Sequence, residues 1–447
     1  MRRLGVTLMK SFRWAALMGA AALALVGDGL AAQDPASLDS LVADALVLSP
    51  TILASQRRVD AARAAVASAG SLDDPMLMFG LMNQPIRGPM EEMAMRVLGV
   101  TQMIPFPGKR RLGRTIAEHE LAAAQADLEA SRRALAQEVK EAYYELAFLD
   151  RTMEVLRRND LLLGDFIEVT EARYELGTGS QQDVLEARVE LARLAAEAVA
   201  LQEGRGAALA GLNAALDRPT EAAVVEPRVA ERIARAAVPA DPRQVRFTSA
   251  ALGSRAAGSP LPPLAALQEQ AIRDNPELLM RDAMIAAQAT RRDLARKAHL
   301  PDLDVSLQYG QRDGLSDLVS TVVSLPIPVR RGSRQGREVA EAEATLAALQ
   351  AERRALANEV RAEVARAYAD SERARSQLAL FVKSILPQGR AALESATSSF
   401  QVGRVDFLTL LENQATLHGY ETAYQRALTD FAIGVAKLER LVGKEIL

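Results

Sequence analysis

The chain has 447 residues, of which 49% are hydrophobic and 25% charged, and its formal net charge is −3. That balance excludes a strongly basic nucleic-acid binder and a disordered chain, so no nucleic acid is expected as a partner. Zero cysteines and only three histidines exclude disulfides, thiolate metal sites and cysteine nucleophiles, and no cofactor is expected.

Residues 1–31 read as a signal peptide. Arg2, Arg3, Lys10 and Arg13 precede an uncharged stretch from Trp14 to Val26, and Gly29-Leu30-Ala31 then offers small residues for cleavage. The stretch is too short to span a bilayer, and no later apolar run reaches the ~18 residues that a spanning helix needs. A membrane-embedded form of such an exported chain has to use β-strands. Lacking cysteine, the chain is expected to carry no amino-terminal lipid, so strands alone would attach it.

A first structural repeat is predicted over 32–216. It starts with a helix from about Ser37 to Ser68 and continues with a strand pair, Met76–Gln84 and Met93–Ile104, giving a hairpin at about 76–104. Pro105-Phe106-Pro107-Gly108 ends the hairpin, and a long helical hairpin follows over about 111–216. In its first arm Leu135, Val139, Ala142, Leu146, Leu149, Met153 and Leu156 are spaced alternately four and three apart, which is a coiled-coil seam. From Arg111 to Leu176 this arm would extend on the order of 100 Å. After a turn at Gly177-Thr178-Gly179 a second helix returns with Leu185, Val189, Ala192, Ala196 and Val199 on one face. Nearly a fifth of the chain is alanine, which suits long helices packed closely along their length.

Residues 217–263 hold seven prolines and no sustained period, and read as a surface excursion or partly disordered linker between repeats. The second repeat is predicted over 264–447. Pro50 and Pro276, Pro75 and Pro301, Leu81 and Leu307, and Gly177 and Gly403 are all 226 residues apart. The octets starting at Arg132 and Arg353 match in seven of eight positions at an offset of 221, as do Pro105-Phe106-Pro107 and Pro326-Ile327-Pro328. Fixed landmarks of this kind indicate duplication, with a longer strand loop in the first copy and a longer segment beyond Val360 in the second. A helix is expected over Leu264–Ala298 and a hairpin at about 302–326. There Leu303, Val305, Leu307 and Tyr309 alternate with Asp304, Ser306, Gln308 and Gly310, and Val319, Thr321, Val323 and Leu325 continue past a turn at Arg312–Ser316. A second long helical hairpin is expected over about 332–442.

Two hairpins supply four strands, too few to close a barrel, and an unclosed sheet in lipid leaves its edge groups unsatisfied. The predicted fold is therefore mainly α with a small antiparallel β part: a long coiled-coil α-barrel and a β-barrel completed by other subunits. Three subunits would give about twelve strands, enough for a wet channel.

The signal peptide, the duplicated order, Pro105-Phe106-Pro107-Gly108, and the two turn sequences at Tyr174–Leu185 and Phe400–Leu408 together resemble the TolC-like outer-membrane efflux family. The Pro-Phe-Pro-Gly segment is similar to that of members paired with heavy-metal pumps. The resemblance implies a homotrimer embedded in outer-membrane lipid and extending into the periplasm. It also implies a periplasmic adaptor and an inner-membrane resistance-nodulation-division type pump as partners. Adaptor docking would fall at the turns, on Tyr174, Gly177, Leu185, Phe400, Gly403 and Leu411. Asp183, six residues after Gly177, stands where the family carries an aspartate of the closed gate, with Arg404 as candidate partner. The family arginine usually sits two residues after that glycine, where this chain has Val405, and Phe400 replaces the expected tyrosine. Asp406, Glu186 and Glu412 complete the gate candidates; the two glutamates would ring the lumen and favour cations. Each charge could equally serve as a cap or solvated surface, and each glycine suits a helix end in any case.

Seven of the thirteen methionines lie between Met76 and Met103. Met76, Met78 and Met82 share a strand face and offer soft thioether ligands, although flexible apolar filling explains them too. No phosphate loop, His-Glu-x-x-His or Gly-x-Ser-x-Gly occurs, so an enzyme is not expected. A soluble periplasmic coiled-coil scaffold and a protein-secretion conduit of the same architecture are the alternatives; the scaffold leaves both alternating hairpins unexplained.

Overall fold

Proline divides the first helix of each repeat. In the computed structural model, which describes residues 37–83, 94–224, 227–238, 260–327 and 334–447, the helix expected over 37–68 is two helices. These are α1 (Leu38–Leu48) and α2 (Pro50–Ala69), bent by 49°. A residue preceding proline is pushed out of the helical region, and Ser49 is extended at φ −61°, ψ 125°. The second repeat breaks likewise at Asn275 (φ −68°, ψ 123°), between α6 (Leu264–Asp274) and α7 (Pro276–Arg296). The expected single helices over 37–68 and 264–298 are corrected accordingly. The signal peptide, Met90 and Met93 lie outside the described residues.

The strands β1 (Met76–Met82), β2 (Met95–Ile104), β3 (Leu303–Arg312) and β4 (Leu318–Ser324) form one antiparallel sheet in the order β1-β2-β3-β4. Its central pairing, from Ile104 opposite Leu303 to Met95 opposite Arg312, joins the two repeats. β1 and β4 are the two edges of the sheet within the protomer. Residues paired across strands share a face. Phe79, Leu98, Tyr309 and Val319 make one row, and Leu77, Val100, Leu307 and Thr321 the next. This face is apolar and open, with Leu77, Phe79 and Val319 each more than 70% exposed, at 74%, 72% and 71%. Among the described residues no single helix is long and apolar enough to cross a membrane.

Below the sheet, Asp302 clamps the start of α3 (Lys109–Glu175). Its carboxylate accepts from the backbone N–H of Phe106 at 2.7 Å and from Lys109 Nζ at 2.9 and 3.0 Å. Gly108 turns the chain into the helix at φ +91°, a left-handed geometry, and an added Cβ would sit 2.4 Å from Lys297 Nζ. This explains the glycine that ends the Pro-Phe-Pro-Gly segment.

The helix α3 has 67 residues, about 100 Å at the helical rise per residue. Its heptad seam is buried at Leu135, Val139, Leu146, Leu149 and Leu156. It packs along α2, α7, α4 (Gln181–Ala215) and α10 (Phe407–Val442). In the second repeat the long arm is α8 (Gly336–Leu380), a π-helical turn at Phe381–Ile385, and α9 (Leu386–Gln401). The five extra residues that distinguish the repeats beyond Val360 fall in the stretch that includes this wider turn. Helices α8 and α10 approach so closely that a Cβ on Gly434 would lie 2.3 Å from Ser371 Oγ.

The linker expectation needs correction for its described part. Val224, Leu261 and α5 (Glu231–Ala237), through Ile233 and Ala237, join the main core with Leu212, Val364 and Phe431. Arg228 N–H donates to the Tyr143 hydroxyl at 3.1 Å. These apolar residues are too sparse to show a period in sequence, yet they dock the segment on the helices.

Candidate functional site

The end of the molecule farthest from the sheet consists of two turns. In the first, the Gly177 N–H donates to Tyr174 O at 2.9 Å and the Thr178 and Gly179 N–H groups donate to Arg173 O at 2.9 and 3.0 Å. In the second, the Gly403 N–H donates to Phe400 O at 3.0 Å and the Arg404 N–H to Ser399 O at 2.9 Å. Gly177 and Gly403 adopt φ +68° and +72°, the left-handed conformation that ends helices most readily at glycine. A polar side chain starts each following helix. Ser180 accepts from Gln182 N–H at 3.0 Å, while Asp406 accepts from the Thr409 N–H at 2.9 Å and hydroxyl at 2.5 Å.

Arg173 ties the turns together. It donates to the carbonyls of Phe400 at 3.0 Å and Gln401 at 3.4 Å, and its guanidinium lies 4.3 Å from the Phe400 ring centroid. Phe400 in turn packs on Phe407, with ring centroids 5.8 Å apart, in a small core with Leu163, Phe166, Leu194 and Leu410. Sequence reasoning missed Arg173: nothing local distinguishes an arginine four residues before a helix-ending glycine from a solvated one.

The docking expectations divide by burial. Tyr174 and Leu185 are exposed at 48% and 54%, whereas Phe400 and Leu411 are 5% and 9% exposed and belong to the tip core. Leu185 also lines a groove of about 580 Å³ with Gln182, Glu186, Val189, Leu408 and Leu411. The gate candidates do not pair within the protomer. Among the described residues no ion pair joins Asp183, Glu186, Arg404, Asp406 or Glu412 to one another; Glu186 accepts from Gln182 Nε2 at 2.8 Å. Asp406 is engaged as a helix cap, and Thr409, donating first from its hydroxyl and then from its backbone, holds the carboxyl below its usual range. The face of α4 formed by Leu185, Val189, Ala192, Ala196 and Val199 is turned away from α3; Val184, Ala187 and Leu194 make the buried contacts instead. Helical period identifies a face but not which of two apolar faces packs inside the protomer.

Above the tip, three helices share a buried polar chain. Asn159 Nδ2 donates to His418 Nδ1 at 3.2 Å, His418 Nε2 lies 3.2 Å from Glu197 Oε1, and Gln414 Nε2 donates to Asn159 O at 3.1 Å. At the far end of the molecule, Met76, Met78 and Met82 occupy one face of β1, as the alternation predicts.

The sequence matches the family described as Outer membrane efflux protein twice, over residues 41–218 and 267–444. No curated protein matches it significantly. Among solved structures, VceC from Vibrio cholerae is 19% identical with a TM-score of 0.74, covering 92% of this chain and 97% of that one. CusC is 14% identical with a TM-score of 0.75, over 91% and 92% of the two chains, and its crystal structures concern conformational changes accompanying folding and transmembrane channel formation. The open state of MtrE from Neisseria gonorrhoeae is 16% identical with a TM-score of 0.70, over 92% and 90%. At these identities the likeness establishes a shared fold. The family match extends over both halves of the duplicated chain, which therefore belongs to the outer membrane efflux protein family as a TolC-like efflux channel.

Proposed function

We propose that three copies of this chain form the exit duct of a tripartite efflux system, fed by an inner-membrane resistance-nodulation-division type pump through a periplasmic adaptor. TolC-like channels form trimers. The observation that carries the reading is a four-stranded sheet with one apolar face and two unpaired edges, mounted on helices about 100 Å long. Lipid tolerates such a sheet only if further strands complete it. Residues 1–31 serve as the export signal, and the two repeats, 32–216 and 264–447, are the half-subunits on either side of the 217–263 segment.

In this reading the exposed α4 face of Val189 and Val199 is the seam to the next protomer. The turns form the periplasmic mouth. Tyr174 and Leu185 present the adaptor contact, Asp183 and Arg404, unpaired with each other inside one protomer, close the gate by pairing between protomers, and Glu186 and Glu412 ring the lumen with carboxylates. A soluble scaffold would have no use for the apolar sheet face. A protein-secretion conduit shares the architecture, and the pump encoded beside the channel decides between them.

The test is fractionation of cells expressing the full chain, followed by planar-bilayer recording of the detergent-purified protein. It is expected to stay with the outer membrane through a high-salt wash, to migrate as a trimer and to conduct. Release by salt without detergent would overturn the reading.

A further inference from the structure

The sheet has a second face, and its composition differs from the first. The register puts Met82 directly opposite Met95, and Met76 opposite Thr101 with Met103 two residues further along β2. Met78 lies between them, opposite Gly99. All five described methionines of the hairpin therefore share one face with Ser306, Gln308, Asp304 and Ser320, and with Arg312, which stands opposite Met95 and donates its guanidinium to Ser316 O; none stands on the apolar face. This face is also the more covered one: Val97 and Ser306 are buried while Leu98 and Leu307 on the opposite side are exposed, as expected on the concave side of a curling sheet.

In a barrel the apolar face meets lipid and the alternate face meets the water-filled interior. The methionines thus line the lumen, where hydrocarbon filling has no packing role to play. Small residues make room for them. A Cβ on Gly310 would stand 3.0 Å from Met95 Sδ, and one on Gly99 would stand 3.3 Å from Met78 Cε, so the side chains lie over glycine on the wall. Cross-strand neighbours are about 5 Å apart at Cβ and diagonal ones about 7–8 Å, within reach of two flexible thioether arms. Met82 with Met95, and Met76 with Met103, make two such pairs at opposite ends of the sheet, with Met78 between.

Thioethers are neutral, soft donors that select monovalent copper or silver over the hard cations of the medium. Asp304, opposite Met103, adds a carboxylate near the periplasmic end that draws cations in. Two-thioether contacts are weak and repeated along the path, as passage requires, whereas a closed high-affinity site would trap its cargo. We propose that this face is a thioether ladder that binds Cu(I) or Ag(I) in transit, making a soft monovalent cation a substrate of the channel. The inference rests on the exit-duct reading and adds the substrate class.

The test uses the purified full-length trimer and silver ion as probe. Replacing all five methionines by leucine conserves volume and apolarity and removes only the sulfurs. Silver affinity by calorimetry is expected to fall by about tenfold or more, with bilayer conductance of the two proteins alike. Equal silver affinity would overturn the proposal; a wild-type protein that does not conduct would instead overturn the exit-duct reading. If the leucine protein fails to assemble, wild type alone suffices. In reconstituted vesicles, aqueous peroxide is expected to oxidise the five methionines, and silver to slow this while leaving Met284, 38% exposed on α7, unprotected. Shielding from aqueous oxidant, or no protection by silver, would overturn the ladder.

Discussion

The two interhelical turns are copies of one ancestral turn that now have different roles in the packing. An offset of 226 pairs Tyr174 with Phe400, Ser180 with Asp406, Gln181 with Phe407 and Leu185 with Leu411. Backbone geometry is retained: both glycines are left-handed and both helix starts are capped by a side chain. Burial is not. Phe407 is 1% exposed while Tyr174 and Leu185 stand open, so the second turn is anchored in the tip core and the first is presented to whatever lies outside. Duplication under a backbone constraint leaves side chains free to specialise, and Arg173 then couples the presented turn to the anchored one.

Breaking the anchored side should have the largest effect. Phe407→Ala is expected to destabilise the protein by about 3–5 kcal/mol in chemical denaturation, as for buried aromatics generally. The equivalent Gln181→Ala should stay within about 0.5 kcal/mol. Near-equal values would show that the two turns are not specialised. Arg173→Ala removes two carbonyl contacts and a cation–π contact, for an expected loss of about 1–3 kcal/mol. Hydrogen exchange should then rise at Thr178 and Gly179 more than at Arg404. Gly177→Ala and Gly403→Ala should each lose about 1–2 kcal/mol, because nothing crowds either position and only the left-handed backbone penalises a Cβ. A large inequality between these two would locate the difference in the backbone after all.

The caps sharpen the comparison through pH. Ser180→Ala should lose about 1 kcal/mol at any pH, since a hydroxyl cap does not titrate. Asp406 has a lowered carboxyl pKa in the folded protein, so its contribution is present above the ordinary aspartate range and is lost as pH falls through the depressed folded value. Asp406→Ala should therefore destabilise at neutral pH and progressively less in acid. Stability curves for the two variants that run parallel between pH 7 and pH 2 would contradict the asymmetry.

What was legible in the sequence had a short-range or periodic physical cause. The alternation at Leu303–Tyr309, the heptad seam at Leu135–Leu156 and the glycines at 177 and 403 each reflect one local rule, and each falls where that rule puts it. The breaks at Ser49 and Asn275 were also local, since each precedes a proline, but an apolar period running across them concealed the bend. The rest depended on tertiary context. Arg173 acquires meaning only when Phe400, more than two hundred residues away, comes beside it. The outward turn of the Leu185–Val199 face and the docking of α5 are choices among apolar surfaces that composition does not rank. That the methionines share one face of the sheet follows from register, which pairs β1 with β2 and β2 with β3, and not from their number.

The pairing of β2 with β3 also constrains the time course of folding. Ile104 meets Leu303 about 200 residues later in the chain, a closure that is slow to find and gains nothing until the intervening helices have formed. Until then each hairpin is an isolated pair of strands, marginal in water and prone to pair with the wrong neighbour. Helix packing around α3 and α7 therefore has to come first and bring the hairpins together, and the apolar sheet face matures last. Synthesis that outruns membrane insertion should accordingly leave a species with native helices and sticky, unjoined hairpins, the form a periplasmic holdase would have to protect.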